Sequence, residues 1–159
     1  NFKEAFADQK DFKTGEVVGG GLNLEVWTNK GVENLMYTKG ERMTVFVRTN
    51  IACYVRFLYH LASGERVLLL DNHYIDDSKV NKVYQIPQEF ECDAPYGGEV
   101  LQVFARTEEF EPVQITEKDG YKYLKEDLKK FVVATRGFKP VKQAAMQTEQ
   151  RLTVTTMEQ

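Results

Sequence analysis

The feature that most constrains this chain is a run of segments between Leu22 and Thr107 in which apolar and polar residues alternate. The clearest of these segments are Arg42–Arg48, Cys53–Leu61 and Val100–Arg106. Successive side chains of a β-strand point to opposite faces, so each segment can direct one set of residues at a core and the other set away from it. The alternation predicts a mainly β protein built as an antiparallel β-sandwich.

Turn signals separate the predicted strands. Gly64, within Ala62–Glu65, suits a tight hairpin because glycine has no Cβ that clashes at a positive φ. The strands on either side of this hairpin are therefore expected to pair antiparallel. Asp71–Lys79 is polar and predicts a loop, whereas Leu152–Thr156 predicts a final strand at about residues 151–157.

The hydrophobic period changes after Pro112. A helical face is formed by Leu124, Leu128, Phe131, Val132 and Thr135. This spacing predicts one amphipathic α-helix near the C-terminus, at about residues 120–136, with Asp119 placed to cap its first turn. Residues 1–20 are interpreted as a polar leader or linker, and residues 21–159 are expected to form a single β-sandwich domain.

Charge excludes two classes of partner. Twenty-one basic and 24 acidic residues give a net charge of −3, which supplies no field to gather phosphates or anionic lipids. Nucleic acid is therefore not an expected partner. No apolar run approaches the roughly 20 residues that a membrane helix needs, so membrane insertion of this chain is not expected. The chain begins at Asn1 rather than Met, which leaves its compartment open.

Cysteine and histidine are scarce. Cys53 and Cys92 can form one disulfide if the protein is exported, or they can serve as small buried apolar residues. The second interpretation is favoured, because free cysteine is among the most buried residue types. The only histidines, His60 and His73, complete no zinc-binding spacing with them. Neither a metal nor another cofactor is expected.

The residues that could carry catalysis lack the arrangement that an enzyme needs. Ser63 and Ser78, the only serines, fall in a predicted turn and a predicted loop. Cys53 has the strand phase of a core residue, which does not favour an activated thiolate. Gly19, Gly20 and Gly21 follow no strand and open no helix, so they do not predict a phosphate-binding loop. No catalytic residue is assigned, and the chain is not expected to be an enzyme.

Large aromatic residues on the strand face opposite the predicted core are the candidate ligand-binding residues: Trp27, Phe46, Tyr54 and Phe104. The favoured hypothesis is that the predicted helix, at Tyr121–Thr135, or the long loop covers this face and forms a second small core. The other hypothesis is an exposed aromatic platform for a sugar or a peptide.

A resemblance to a known family is spread over strands and turns. It is carried by Leu22–Gly31, Tyr37–Val45, Cys53–Tyr59, Gly64–Leu70, Ile86-Pro87, Pro95–Glu99 and Ala134–Gly137. In these stretches the chain resembles a bacterial family of domains of unknown function, DUF4384, closely from Leu22 to Phe110 and more loosely to about Met157. The family usually has Leu-Pro-Asn after the hairpin, where this chain has Leu70-Asp71-Asn72, and the departure affects the shape of that loop.

The resemblance implies an immunoglobulin-like sandwich used as an accessory domain, often joined to kinase, caspase-like peptidase or cell-envelope modules. It carries over no catalytic residue. The expected function is a non-catalytic accessory or protein-interaction module of a bacterial cell-envelope protein, with another protein or another domain of the parent chain as its partner. The alternative is binding of a glycan or other small ligand through the aromatic residues. A periplasmic or envelope location is expected, with the cytoplasm as the alternative.

Overall fold

The computed structural model describes residues 21–125 and 145–159, so the leader predicted at residues 1–20 lies outside the described residues. The described ranges are mainly β and contain ten strands in two sheets. The strands are β1 (Leu24–Thr28), β2 (Leu35–Thr38), β3 (Arg42–Thr49), β4 (Cys53–His60), β5 (Arg66–Ile75), β6 (Tyr84–Glu91), β7 (Gly97–Arg106), β8 (Ile115–Lys118), β9 (Tyr121–Leu124) and β10 (Gln147–Met157).

The strands divide into a three-stranded and a seven-stranded sheet. The smaller sheet has the order β1-β3-β6, and the larger has the order β2-β10-β7-β4-β5-β9-β8. Neighbouring strands run antiparallel except β2 and β10, which are parallel. The predicted β class is therefore confirmed, with one parallel pair that the alternation pattern does not reveal. β10 contains the final strand predicted at about residues 151–157 and begins earlier.

One apolar core is shared by the two sheets. Val55 and Phe57 of β4 are fully buried and belong to the same cluster as Val45 of β3. The Phe57 and Phe90 rings, from β4 and β6, lie with their centroids 6.2 Å apart across the two sheets. The odd-numbered residues of β4 face this core, as their alternation predicts.

The hairpin at Gly64 is present, but the strand that follows it is longer than the sequence predicts. Gly64 has a φ of 96°, and β4 and β5 pair antiparallel on either side of it. β5 continues to Ile75, which is buried opposite Cys53. The loop predicted for Asp71–Lys79 is therefore wrong over its first five residues. Opposite Val55–Leu58, β5 has bulges whose extra residues break the period of two and hide the second half of this strand.

The predicted C-terminal helix is wrong at its start. Tyr121–Leu124 form β9, which pairs antiparallel with β8. Asp119 and Gly120 have φ values of 53° and 83°, so they form a hairpin turn and Asp119 is not a helix cap. The described residues contain no α-helix, and the part of the predicted helix at residues 126–136 lies outside them.

In the two described ranges, no helix has the length and apolar character needed to cross a bilayer.

Gly97 opens β7 at a position that tolerates no side chain. Its φ is 149°, and a Cβ built there would lie 2.8 Å from the Cβ of Ala62. Gly97→Ala is expected to lower the free energy of unfolding by about 1–3 kcal/mol, because it combines backbone strain with this clash. Gly98→Ala is the matched control, since a Cβ at Gly98 meets no atom within 4 Å. Urea unfolding compares the two variants, and equal losses would contradict the explanation.

Candidate functional site

The four aromatic residues singled out in the sequence divide between the two sheets. Trp27 of β1 and Phe46 of β3 lie on the three-stranded sheet, where both are buried and their rings stack with centroids 6.2 Å apart. Tyr54 of β4 and Phe104 of β7 lie on the seven-stranded sheet. The structure therefore places the four residues in two separate groups rather than on one platform.

Phe104 belongs to a second, smaller core. It alternates along β7 with the core residues Val103 and Ala105, so it points to the opposite face of the sheet. The second core consists of Leu58, Phe104 and Phe110, with Tyr54, Leu68 and Leu124 packed against it. Phe110 comes from residues 107–114, between β7 and β8. This segment covers part of the outer face.

A buried arginine fastens the covering segment to the sheet. The Arg56 guanidinium forms an ion pair with Asp71 of β5 and donates to the Glu111 carbonyl oxygen at 2.8 Å. Arg56 Cζ also lies 4.7 Å from the centroid of the Phe110 ring. The Phe110 backbone N–H donates to Asn72 Oδ1 at 2.7 Å. The position of the segment therefore depends on a buried cation and its partners.

One end of the same outer face remains accessible. Tyr74, Tyr54 and Arg106 are cross-strand neighbours on β5, β4 and β7, and together we call them the Tyr–Arg row. The two tyrosine rings lie 4.8 Å apart, and Tyr74 is 50% exposed. Arg106 Nη1 donates to Gln147 Oε1 at 3.0 Å. The exposed Tyr74 ring thus lies in one row with Tyr54 and Arg106, which are both half-buried.

The strand pattern identifies Tyr54 but not its two neighbours. Tyr74 falls in the stretch predicted as a polar loop, and Arg106 ends a strand without any local signal of function. Only the cross-strand register brings the three residues together. One signal in the sequence could have identified Tyr74. Tyr74 and Ile75 are large residues of the kind found in strands, and they follow a polar gap that a β-bulge can bridge.

The cysteines and histidines are separate from one another. Cys53 and Cys92 are free thiols, so the candidate disulfide is not formed; burial raises the pKa of the Cys53 thiol to about 11. His73 lies in β5 rather than in a solvated loop, with Nε2 2.7 Å from the Tyr84 hydroxyl, and burial lowers its pKa. His60 Nε2 lies 2.7 Å from Gln102 Oε1. No three His, Cys, Asp or Glu side chains of residues 21–125 and 145–159 are grouped so that they could hold a metal ion.

A cavity lies at the other end of β4 from the Tyr–Arg row. Its volume is about 90 Å³, and both sheets contribute to its wall. Aromatic rings supply much of that wall: Tyr37, Tyr59, Phe90, Tyr121 and Tyr123. Glu99, Cys92 and Asp93 add polar groups. We call it the Glu99 cavity.

Glu99 is a buried carboxyl group in this wall, with only 3% of the residue exposed. Its Oε1 accepts hydrogen bonds from the Tyr59 hydroxyl at 2.7 Å and from Thr156 Oγ1 at 3.0 Å. Its Oε2 is also buried and has no hydrogen-bond partner in the described part of the chain. Burial raises the pKa of the Glu99 carboxyl, and the two hydroxyl donors only partly offset this. Burial and the neighbouring Glu99 likewise raise the pKa of the Tyr59 hydroxyl.

Comparison with known proteins gives one match. Residues 36–109 match the family model described as a domain of unknown function, DUF4384, which confirms the resemblance for this part of the chain. No curated protein and no solved structure matches the chain. The matched range contains the whole Tyr–Arg row and Glu99, whereas β1, β8, β9 and β10 lie outside it.

Proposed function

We propose, from the premise that residues 36–109 carry a DUF4384 domain, that this chain is a non-catalytic interaction module. It binds another protein, or another domain of its parent chain, through the Tyr–Arg row. The observation that carries the proposal is the alignment of the exposed Tyr74 with the half-buried Tyr54 and Arg106 across three strands.

The chemistry of the row suits a protein contact. Tyrosine and arginine are enriched at protein interfaces and among the residues that contribute most to binding. Tyr74 is half exposed and its ring packs against Tyr54 at an interplanar angle of 36°, so it is already held in place. A ring that is ordered before binding loses little conformational entropy when a partner covers it. The Arg106 guanidinium adds a planar donor for a carboxylate or a carbonyl group of that partner.

Three of the four sheet edges suit a partner less well. At β2, an edge of the larger sheet, the Met36 carbonyl oxygen already accepts a hydrogen bond from Lys30 Nζ at 2.7 Å. The opposite edge, β8, carries the exposed charges of Glu117 and Lys118. Pro87 lies within β6, an edge of the smaller sheet. Side-chain caps, charges and prolines are the devices that prevent strand addition at an edge. A contact through the sheet face is therefore favoured.

The proposal also includes an immunoglobulin-like form of the sandwich and a location in the cell envelope. Two sheets in the orders β1-β3-β6 and β2-β10-β7-β4-β5, sharing one core, support an immunoglobulin-like sandwich, with β8 and β9 as an added hairpin. Many cell-surface domains have this architecture, which supports a place in a bacterial cell-envelope protein. Fractionation of source cells tests the location: recovery in the envelope fraction is expected, and recovery in the cytosol would contradict it.

Glycan binding through the aromatic residues has less support. Trp27, Phe46 and Phe104 are buried, and Tyr54 alone of the four is half-buried. Beside Tyr54 lies the accessible ring of Tyr74, but one exposed ring suits a protein contact as well as a sugar and therefore does not favour a glycan.

The proposal is tested by substituting the row in the protein expressed in its source cells. Tyr74→Ser is expected to dissociate the native complex that the wild-type protein forms, because loss of a central aromatic contact costs about 2 kcal/mol of binding free energy or more. Blue native electrophoresis of the extracts measures the size of the complex. Tyr96→Ser, in the turn before β7 at the other end of the sandwich, is the matched control. A complex that survives Tyr74→Ser, or is lost equally with Tyr96→Ser, would refute the proposal.

A further inference from the structure

We infer that the Glu99 cavity binds an alkylammonium group, with the Glu99 carboxylate as counter-ion and the aromatic wall around the carbon chain. This site is separate from the Tyr–Arg row, and the inference does not depend on the proposed protein contact.

The size and lining of the cavity limit its ligand. At about 90 Å³ it is smaller than the roughly 300–1,000 Å³ of pockets that hold drug-sized molecules. It has room for a short chain and not for a polysaccharide. Aromatic and aliphatic side chains such as Tyr123, Phe90 and Val67 form most of the wall, so the body of the ligand is apolar.

The unpartnered oxygen of Glu99 fixes the polar end of the ligand. Both hydrogen bonds of the carboxyl group go to Oε1, and Oε2 is buried with no donor in the described ranges. A buried polar atom without a partner costs free energy that a suitable ligand group recovers. An ammonium group supplies both the missing donor and the opposite charge. Its pairing with Glu99 offsets the cost of burying the carboxylate.

The charges around the cavity favour a cation. Glu41 is paired with Lys30 at 2.9 Å, and Glu91 has Arg42 Nε at 3.9 Å. Asp93 and Glu99, which also line the cavity, have no cationic partner among the described residues. Within the described ranges, the wall therefore contains two carboxyl groups that no cation of the protein pairs with. The faces of tyrosine rings in the wall also attract a cation.

The test is a titration of the ¹⁵N-labelled protein with n-butylammonium chloride, followed by amide chemical shifts. Saturable shifts are expected at residues that line the cavity, and Glu99→Gln is expected to weaken the affinity roughly tenfold or more, because it removes a charge-assisted hydrogen bond. Glu117→Gln removes an exposed carboxylate from β8 and is expected to leave the affinity unchanged. Sodium butyrate and 1-butanol have a four-carbon chain but no ammonium group, and they are expected to give no saturable shift.

Several outcomes would overturn the inference. These are equal binding of 1-butanol, equal binding of butyrate, an unchanged affinity in Glu99→Gln, or no saturable shift at all. If Glu99→Gln fails to fold, the wild-type protein still gives an answer through Cys92, which lines the cavity. n-Butylammonium is then expected to slow alkylation of Cys92 by iodoacetamide, and an unchanged rate would contradict the site.

A second arm separates two sources of the same ammonium group. Nα-acetyl-lysine methylamide presents the group as a protein lysine would. If this compound binds as tightly as n-butylammonium, the site is supported as a receptor for a lysine side chain. If only n-butylammonium binds, the site is supported as one for a free small amine.

Discussion

Arg56→Ala is expected to lower the free energy of unfolding by about 2–4 kcal/mol, because it removes a buried cation whose partners lose their donor. The variant leaves the Asp71 carboxylate without its cation and the Glu111 carbonyl oxygen without its donor. It also removes the contact with the Phe110 ring, on which the second core depends. Asp71 is 32% exposed and regains some hydration, which favours the lower end of the range. Urea unfolding monitored by circular dichroism measures the loss.

A surface arginine provides the comparison for this result. Arg42 pairs with Glu89 at 3.5 Å, but its side chain is mostly exposed, so Arg42→Ala is expected to cost about 0–1 kcal/mol. Hydrogen exchange gives a second readout, since the Phe110 amide donates to Asn72 and is expected to lose protection in Arg56→Ala only. If the two variants unfold with equal losses, Arg56 does not anchor the covering segment.

Phe57→Ala is expected to lower the free energy of unfolding by about 3–5 kcal/mol, the range found when a buried phenylalanine is truncated to alanine. Phe57 is fully buried on β4 and meets Phe90 from the other sheet, so its removal leaves a cavity where the two sheets pack together. The same urea titration measures this loss.

An exposed apolar residue is the control for Phe57. Met36 lies on the edge strand β2 with about half of its surface exposed, and Met36→Ala is expected to change the stability by no more than about 0.5 kcal/mol. A loss below about 1 kcal/mol for Phe57→Ala would contradict close packing of the two sheets at this position.

Strand periodicity predicts the β class and the inner face of β4, because these depend on local alternation. It misplaces the second half of β5, because bulges within that strand interrupt the period. The helix prediction fails at Tyr121–Leu124 for a different reason. Asp119-Gly120 is itself a strong hairpin signal, and this turn prevails over the helical spacing of the apolar residues that follow it.

The candidate sites are less predictable than the strands, since both depend on contacts between distant parts of the chain. Tyr54 and Arg106 are 52 positions apart in the sequence and meet only through the pairing of β4 with β7. Glu99 and Thr156 are 57 positions apart, and their hydrogen bond forms at the wall of the cavity. Trp27 and Phe46 are buried although their strand phase places them opposite the predicted core. Strand phase alone therefore does not predict their exposure.

The central claim is that the Tyr–Arg row contacts a protein partner, and site-specific photo-crosslinking tests it most directly. A photoreactive phenylalanine analogue replaces Tyr74 in the protein expressed in its source cells, and an otherwise identical protein carries it in place of Tyr96. A covalent adduct with one protein, or a crosslink within the parent chain, is expected from position 74 and not from position 96. No adduct from position 74, or the same adducts from both positions, would contradict the claim.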